Sequence, residues 1–272
     1  MGNTDNTGNA DGTDNADTAA EALLAAIEAA PAQDADTTLA DSWLLGFDTE
    51  TTGIAAGRDA IVSASLVLRD PTRGHGADTV ATWIVNPHRP MNPRASAVNG
   101  FTDEFLAEHG AEPTEAIDEV AAAIAAAQAR RIPLLAYNAP FDVRMLEGDL
   151  ARWGLAPLSA RTGAAPAGGD GLLVVDPLVI DRAVSRRKGR RTLTDTTFYY
   201  GVEPHGDFHE ATADTIASID LIAPMAALYP QVGRITMGML MQWQRDAYAT
   251  WRDSFNQWLS GRGRRPVREG WL

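Results

Sequence analysis

Between Trp43 and Asn86 three short runs of apolar and branched residues follow one another: 43–48 (WLLGFD), 61–68 (IVSASLVL) and 82–86 (TWIVN), with turn-forming residues between them. Runs this short and this closely spaced predict three consecutive β-strands. The pattern then changes. Residues 113–130 are an Ala-rich helical stretch opened by Pro113 and Thr114, and 133–137 (PLLAY) reads as a buried strand. In 141–153, Phe141, Met145, Leu146 and Leu150 recur at helical spacing. A further strand is expected at 172–176 (LLVVD), followed by helices near 192–200 and 212–228. Strands first, then helix and strand in alternation, describe an α/β protein with a mixed sheet flanked by helices. Residues 234–260 add a helical extension in which Trp243, Tyr248, Trp251, Phe255 and Trp258 share one apolar face, expected to pack on the chain's own domain.

Composition narrows the chemistry. The 272 residues include no cysteine, which excludes disulfides, a thiolate nucleophile and Cys-ligated zinc, so a bound metal would be held by oxygen and imidazole. That favours Mg²⁺ or Mn²⁺. No basic segment followed by an apolar run opens the sequence, and no stretch is expected to reach the roughly 18 apolar residues of a membrane span; a cytoplasmic protein without membrane contact is the expectation. The net charge is −13, but residues 1–40 hold eight carboxylates and no Lys or Arg. The remainder is modest enough to admit a nucleic-acid partner. Residues 1–18 lack the apolar surface that ordering requires, and 19–30 (AAEALLAAIEAA) would form a stable helix only if docked. Residues 1–41 are therefore read as an acidic disordered leader and linker with room for one short helix, 42–230 as the main domain, and 231–272 as the helical extension and basic tail.

Three segments carry candidate chemistry. Asp48 and Glu50 end the first strand, and residues two apart on a strand point to one face, so the two carboxylates converge. Like charges so placed call for a cation, although a polar strand end is an equally good reading of this pair alone. Asp142 follows Tyr137-Asn138-Ala139-Pro140-Phe141 and falls in the first turn of a helix. The helix dipole by itself would account for it there. His209 and Asp214 are five residues apart, roughly 140° on an ideal helix, so His209 belongs to the loop before the helix and Asp214 to its first turn.

In this order, Asp-Xaa-Glu on a first strand, Asn-Xaa-Xaa-Phe-Asp after a strand and His-Xaa4-Asp at a later helix start resemble the three exonuclease motifs of the DEDD nuclease superfamily. The resemblance covers about residues 43–230. One branch of the superfamily has a tyrosine four residues before the last Asp, where this chain has Glu210; the other has a histidine five before it, where this chain has His209. The chain is thus similar to the histidine branch, and within it to the epsilon proofreading subunits of bacterial DNA polymerase III. The resemblance implies a ribonuclease H-like fold and a metal-dependent 3′-5′ exonuclease. It implies that Asp48, Glu50, Asp142 and Asp214 hold two Mg²⁺ ions, with Mn²⁺ as substitute, and that His209 is the general base. The implied product is a nucleoside 5′-monophosphate from the 3′ end of DNA, single-stranded or frayed, in proofreading or repair, with a DNA polymerase as a possible partner.

For the substrate, Thr51, Thr52, Asn138 and Phe141 adjoin the motifs, and Phe47 and Tyr137 are further stacking candidates. The basic run 182–191, including Arg186, Arg187 and Lys188, is the candidate phosphate contact. Asn99 stands where relatives commonly have His, and no clamp-binding peptide of the Gln-Xaa-Xaa-Leu kind is evident. Competing readings are an exoribonuclease, a catalytically inert nucleic-acid scaffold, and a dinucleotide-binding α/β protein. The last lacks its Gly-rich loop.

Overall fold

The structure is a computed structural model that describes residues 13–162, 171–203 and 210–272. After α1 (Thr13–Ala29), β1 (Leu44–Thr51), β2 (Ile61–Arg69) and β3 (Thr79–Ile84) form an antiparallel meander. Helices α2 (Pro93–Asn99), α3 (Asp103–His109) and α4 (Pro113–Ala129) lead to β4 (Leu134–Leu135). Then come α5 (Pro140–Arg152), the short α6 (Leu158–Arg161), β5 (Val174–Val175), α7 (Pro177–Val184), α8 (Leu193–Tyr200), α9 (Ala211–Asp220), α10 (Ile222–Leu228), the short α11 (Pro230–Gly233) and α12 (Met237–Ser260). The sheet order is β3-β2-β1-β4-β5, with β4 and β5 parallel to β1. This is the expected mixed sheet, flanked by helices. Its central strand is β1, which places Asp48 and Glu50 where antiparallel and parallel halves meet. Every residue of β2 is buried, because helices cover both faces of the sheet.

The segment after the first residues departs from the solvated reading. Leu23 and Ile27 of α1 are fully buried, and α1 lies across β3 and α4. Nor is the connection to β1 loose: the Gln33 amide donates to the Arg131 carbonyl and accepts from the Trp43 N–H at 2.7 Å, while Thr38 bridges to Thr236. Composition understated this because an Ala-rich helix needs few large side chains when it docks on an existing apolar surface. Helices α2, α3 and α7 were not anticipated. α7 is short, opened by Pro177 with Asp176 as its N-cap, and its end overlaps the run read as a basic loop.

Residues 211–228 correct a second expectation. Their mean hydropathy of 1.3 is enough for a membrane span by length and composition. In the fold they are two helices rather than one, over half buried, and α9 owes its apolar character to packing on β1 and β2. The extension packs as expected over its first turns: Met237, Leu240, Met241 and Gln244 of α12 are buried, with the Gln244 amide accepting from the Asp176 N–H and donating to the Val174 carbonyl.

Candidate metal centre

On β1, Gly46, Asp48 and Glu50 share one face and Phe47, Thr49 and Thr51 the other. Phe47 and Thr49 are buried, and Asp48 and Glu50 are half-buried. Gly46 decides what lies above the carboxylates. A Cβ on it would sit 2.6 Å from both Thr215 Cγ2 and Ile219 Cδ1, so only glycine lets α9 approach β1 this closely. α9 is pinned at both ends. Near its start the Thr212 hydroxyl bonds to Ser65 at 3.2 Å and Thr82 at 2.9 Å, and at its end Asp220 accepts from Arg69 at 2.7 Å. The result is that Asp214, in the first turn of α9, joins Asp48 and Glu50: one carboxylate oxygen from each lies within 4.8 Å of the others. Among the described residues this is the only such group.

Asp142 lies one step outside that group. It is 2% exposed, and one oxygen accepts from the Thr49 N–H at 3.1 Å and the Thr49 hydroxyl at 2.8 Å. Its position follows from the turn between β4 and α5. Asn138 has a φ of 65°, a left-handed conformation that Asn tolerates better than most residues. The Asn138 and Ala139 N–H groups donate to the two oxygens of Asp176 at 3.0 and 3.1 Å. Asp176 also caps α7 through the Leu178 N–H and accepts from the Trp271 indole N–H at 3.0 Å. This buried carboxylate organises the turn, and it was missed in the sequence. Its signal was an Asp ending an apolar strand directly before a proline.

Electrostatics favour a cation. Burial, then the charges of Asp142, Asp214 and Glu50, raise Asp48 well above the usual carboxylate range. Glu50 is pushed up to about 7 by burial against a lowering hydrogen bond from Asn99, with Asp214 adding to the rise. Asp142 is also raised to about 7, by burial first. Carboxylates this close resist shedding their protons together unless a divalent ion shares their charge. The donor set is all oxygen, which suits a hard cation. Asn99 lies at the end of α2, serves Glu50, and also donates to the Thr51 carbonyl at 3.3 Å.

Other anticipated residues are placed differently. His209 lies outside the described residues. Thr51 and Thr52 are buried loop builders: the Thr51 hydroxyl donates to the Gly53 carbonyl at 2.7 Å, and the Thr52 hydroxyl accepts from the Ala60 N–H at 3.0 Å. The exposed group at that loop is Ile54, 86% accessible, which sequence reading passed over. Phe47 is core, and the Tyr137 hydroxyl is held by the Arg191 carbonyl and Thr196. Within the basic run, Arg187 turns inward and donates to buried Asp181, as does Arg191, while Arg186 and Lys188 are exposed. An internal carboxylate captures two of the six cations in a cluster that the sequence presents as uniform. Phe141 and Asn138 line a cavity with Ile54, Asp176 and Trp271.

Acidic side chains gathered at the end of the central strand of a mixed five-stranded sheet form a candidate metal centre. Residues 45–222 match the RNase T exonuclease family, and the chain belongs to this family of DEDDh 3′-5′ exonucleases. It is 28% identical over 185 residues to the DNA polymerase III subunit epsilon of Treponema pallidum, covering 66% of this chain and 75% of that one. It is 24% identical over 200 residues to the PolC-type DNA polymerase III of Staphylococcus aureus, covering 73% of this chain but 12% of that much longer protein. In fold it is similar to exonuclease I from Methylocaldum szegediense (TM-score 0.54, 22% identity) and to E. coli exonuclease I in complex with a dA16 oligonucleotide (TM-score 0.55, 18% identity). Each comparison covers 70% of this chain and 42% of the solved one, so the chain spans about two fifths of their length.

Proposed function

We propose that residues 42–230 form the catalytic unit of an enzyme that removes nucleoside 5′-monophosphates from the 3′ end of DNA, single-stranded or frayed, in proofreading or repair. The observation that carries this is the convergence of Asp48, Glu50 and Asp214 under a helix that Gly46 allows to close on β1. Asp142 completes the acidic set from the start of α5. Together these residues would hold two Mg²⁺ ions, or Mn²⁺, which when bound make a water a better nucleophile and stabilise charge on the departing 3′ oxygen. His209, five residues before Asp214 in the sequence, would accept the proton of the attacking water. The Thr49 N–H and hydroxyl hold one oxygen of Asp142, whose charge adds to the rise of Asp48. A DNA substrate is supported by the oligonucleotide complexes of the structurally similar E. coli exonuclease I, and a polymerase partner by the epsilon subunit of T. pallidum. A cytoplasmic enzyme working beside a polymerase accords with both.

The test is digestion of 5′-labelled single-stranded DNA and RNA of equal sequence with Mg²⁺, Mn²⁺ or chelator. Metal-dependent shortening from the 3′ end, faster on DNA and abolished by Asp48→Ala, is expected. Faster digestion of RNA would replace DNA by RNA as the substrate, and no digestion of either by the folded protein would overturn the reading.

A further inference from the structure

The turn that leads into Asp142 is held by a part of the chain that the family match does not reach, since the match ends at residue 222. After α12 the chain folds back along that helix. Asn256 and Val267 exchange two hydrogen bonds at 2.9 and 2.7 Å, and the Tyr248 hydroxyl donates to the Glu269 carbonyl at 3.4 Å. The fold-back ends at Asp176, whose own N–H donates to Gln244 of α12. There Trp271 is 3% exposed, and its indole N–H donates to one Asp176 oxygen at 3.0 Å. That same oxygen accepts from the Ala139 N–H, and the other accepts from those of Asn138 and Leu178. Trp271 and the turn before Asp142 thus share one buried acceptor.

The fold-back also grips α5. Arg144, two residues past Asp142, donates to the Gly270 and Trp271 carbonyls at 3.4 Å each and lies 3.9 Å from the Glu269 carboxylate. The chain is therefore held on both sides of Asp142, at 138–139 through Asp176 and at 144 directly. Both grips matter to a strained turn. Asn138 has a φ of 65°, a conformation that persists only while surrounding contacts impose it. Those contacts depend on Asp176 staying an anion in a buried place. Burial raises Asp176, and the Trp271 indole N–H is the leading hydrogen bond that opposes the rise. Without that donor Asp176 would take up a proton or admit water, and either change loosens its hold on the Asn138 and Ala139 N–H groups.

Resting on the function proposed above, we propose that Trp271 is a positioning residue for the proposed metal ligand Asp142. The segment after α12 is a clasp that closes on the β4–α5 turn through Asp176 and on α5 through Arg144, and so fixes the Asp142 carboxylate against Thr49 of β1. Trp271 acts through Asp176 and touches neither metal nor substrate. Residues 231–272 thereby belong to the mount of the acidic site, since a ligand carboxylate serves only when the groups behind it hold it in place.

Trp271→Phe keeps a buried ring and removes the indole N–H, so it tests the clasp in the full chain at a temperature where variant and wild type are both folded. Hydrogen exchange of the metal-free protein, followed by NMR at the Asn138 and Ala139 amides, is expected to quicken by about tenfold, as for loss of one hydrogen bond to a charged acceptor. Mn²⁺ affinity by calorimetry is expected to fall by about tenfold. In nucleotide release kcat should fall while KM stays unchanged. Leu23→Ala, which loosens α1 where it packs on β3 and α4, is the comparison for lost stability alone and should leave Mn²⁺ affinity unchanged. Unchanged exchange in Trp271→Phe, quickened exchange with unchanged Mn²⁺ affinity, or an equal loss of affinity in Leu23→Ala would each overturn the proposal. The proposed chemistry is read separately: a wild type that shows the exchange and affinity effects but releases no nucleotide keeps the clasp and sinks the chemistry.

Discussion

If Asp48, Glu50 and Asp214 are gathered to hold a cation, then the protein without its cation is held together against their repulsion, and removing one charge stabilises it. Glu50→Gln is the cleanest perturbation, since the amide keeps the volume and a polar atom for Asn99. Glu50 rises from 4.5 to about 7 in the fold. Its folded value is above its unfolded one, so folding takes up a proton between those values and stability falls as pH rises across that window. Above the window the cost of keeping Glu50 ionised is about 3 kcal/mol, at roughly 1.4 kcal/mol per pH unit. A buried amide must still be desolvated, so about half should be recovered, some 1.5 kcal/mol, or roughly 3–6 °C in Tm for a domain of this size. At pH 5 the cost is about a quarter of its value at pH 8, and the gain shrinks with it. Thermal denaturation in chelator at pH 8 and pH 5, repeated with excess Mg²⁺, checks each step. The variant is expected to melt higher than wild type at pH 8 in chelator, to lose most of that advantage at pH 5, and to gain less from Mg²⁺. An unchanged or lower Tm at pH 8 in chelator, or an advantage that does not depend on pH, would refute the electrostatic reasoning.

Other consequences follow from packing and chemistry. Gly46→Ala places a methyl group 2.6 Å from Thr215 and Ile219, so it should cost about 1–3 kcal/mol and displace Asp214. Nucleotide release should then fall more steeply than stability, as measured by kcat alongside denaturant unfolding. Leu23→Ala removes a fully buried side chain of α1 and should destabilise by about 2–5 kcal/mol; urea unfolding showing no effect would return α1 to a solvated tail. His209→Asn should lower kcat by roughly 10²–10⁴-fold while leaving Mn²⁺ affinity, measured by calorimetry, unchanged.

What the sequence revealed was governed by period and order. The strands of the meander could be read because each is a short apolar run bounded by turns, and the alternation of Asp48 and Glu50 with Phe47 and Thr49 fixes a face without any tertiary knowledge. The two parallel strands were found but over-extended, since pairing is limited to Leu134–Leu135 and Val174–Val175. Asp142 was placed by its helix start. What remained hidden depended on contacts distant in sequence. Nothing local marks Gly46 as the seat of α9 or Asp176 as the acceptor for Asn138, Ala139 and Trp271, because each role exists only once 37 to 173 residues of chain have folded back. Arg187 misled for the same reason: its partner Asp181 is buried, and burial is not visible in a run of like charge. Thr51 and Thr52 adjoin the motif in sequence, yet their hydroxyls are consumed in building the loop that displays Ile54.

The central claim is that three carboxylates from β1 and α9 are brought together to hold divalent ions. Anomalous diffraction from crystals of the full chain grown with Mn²⁺ and a nucleoside 5′-monophosphate tests it most directly. The expected result is a manganese peak between Asp48, Glu50 and Asp214, with the monophosphate beside it, and loss of that peak in crystals of Asp48→Ala. Manganese bound elsewhere on the protein, with those three carboxylates free of it, would contradict the account.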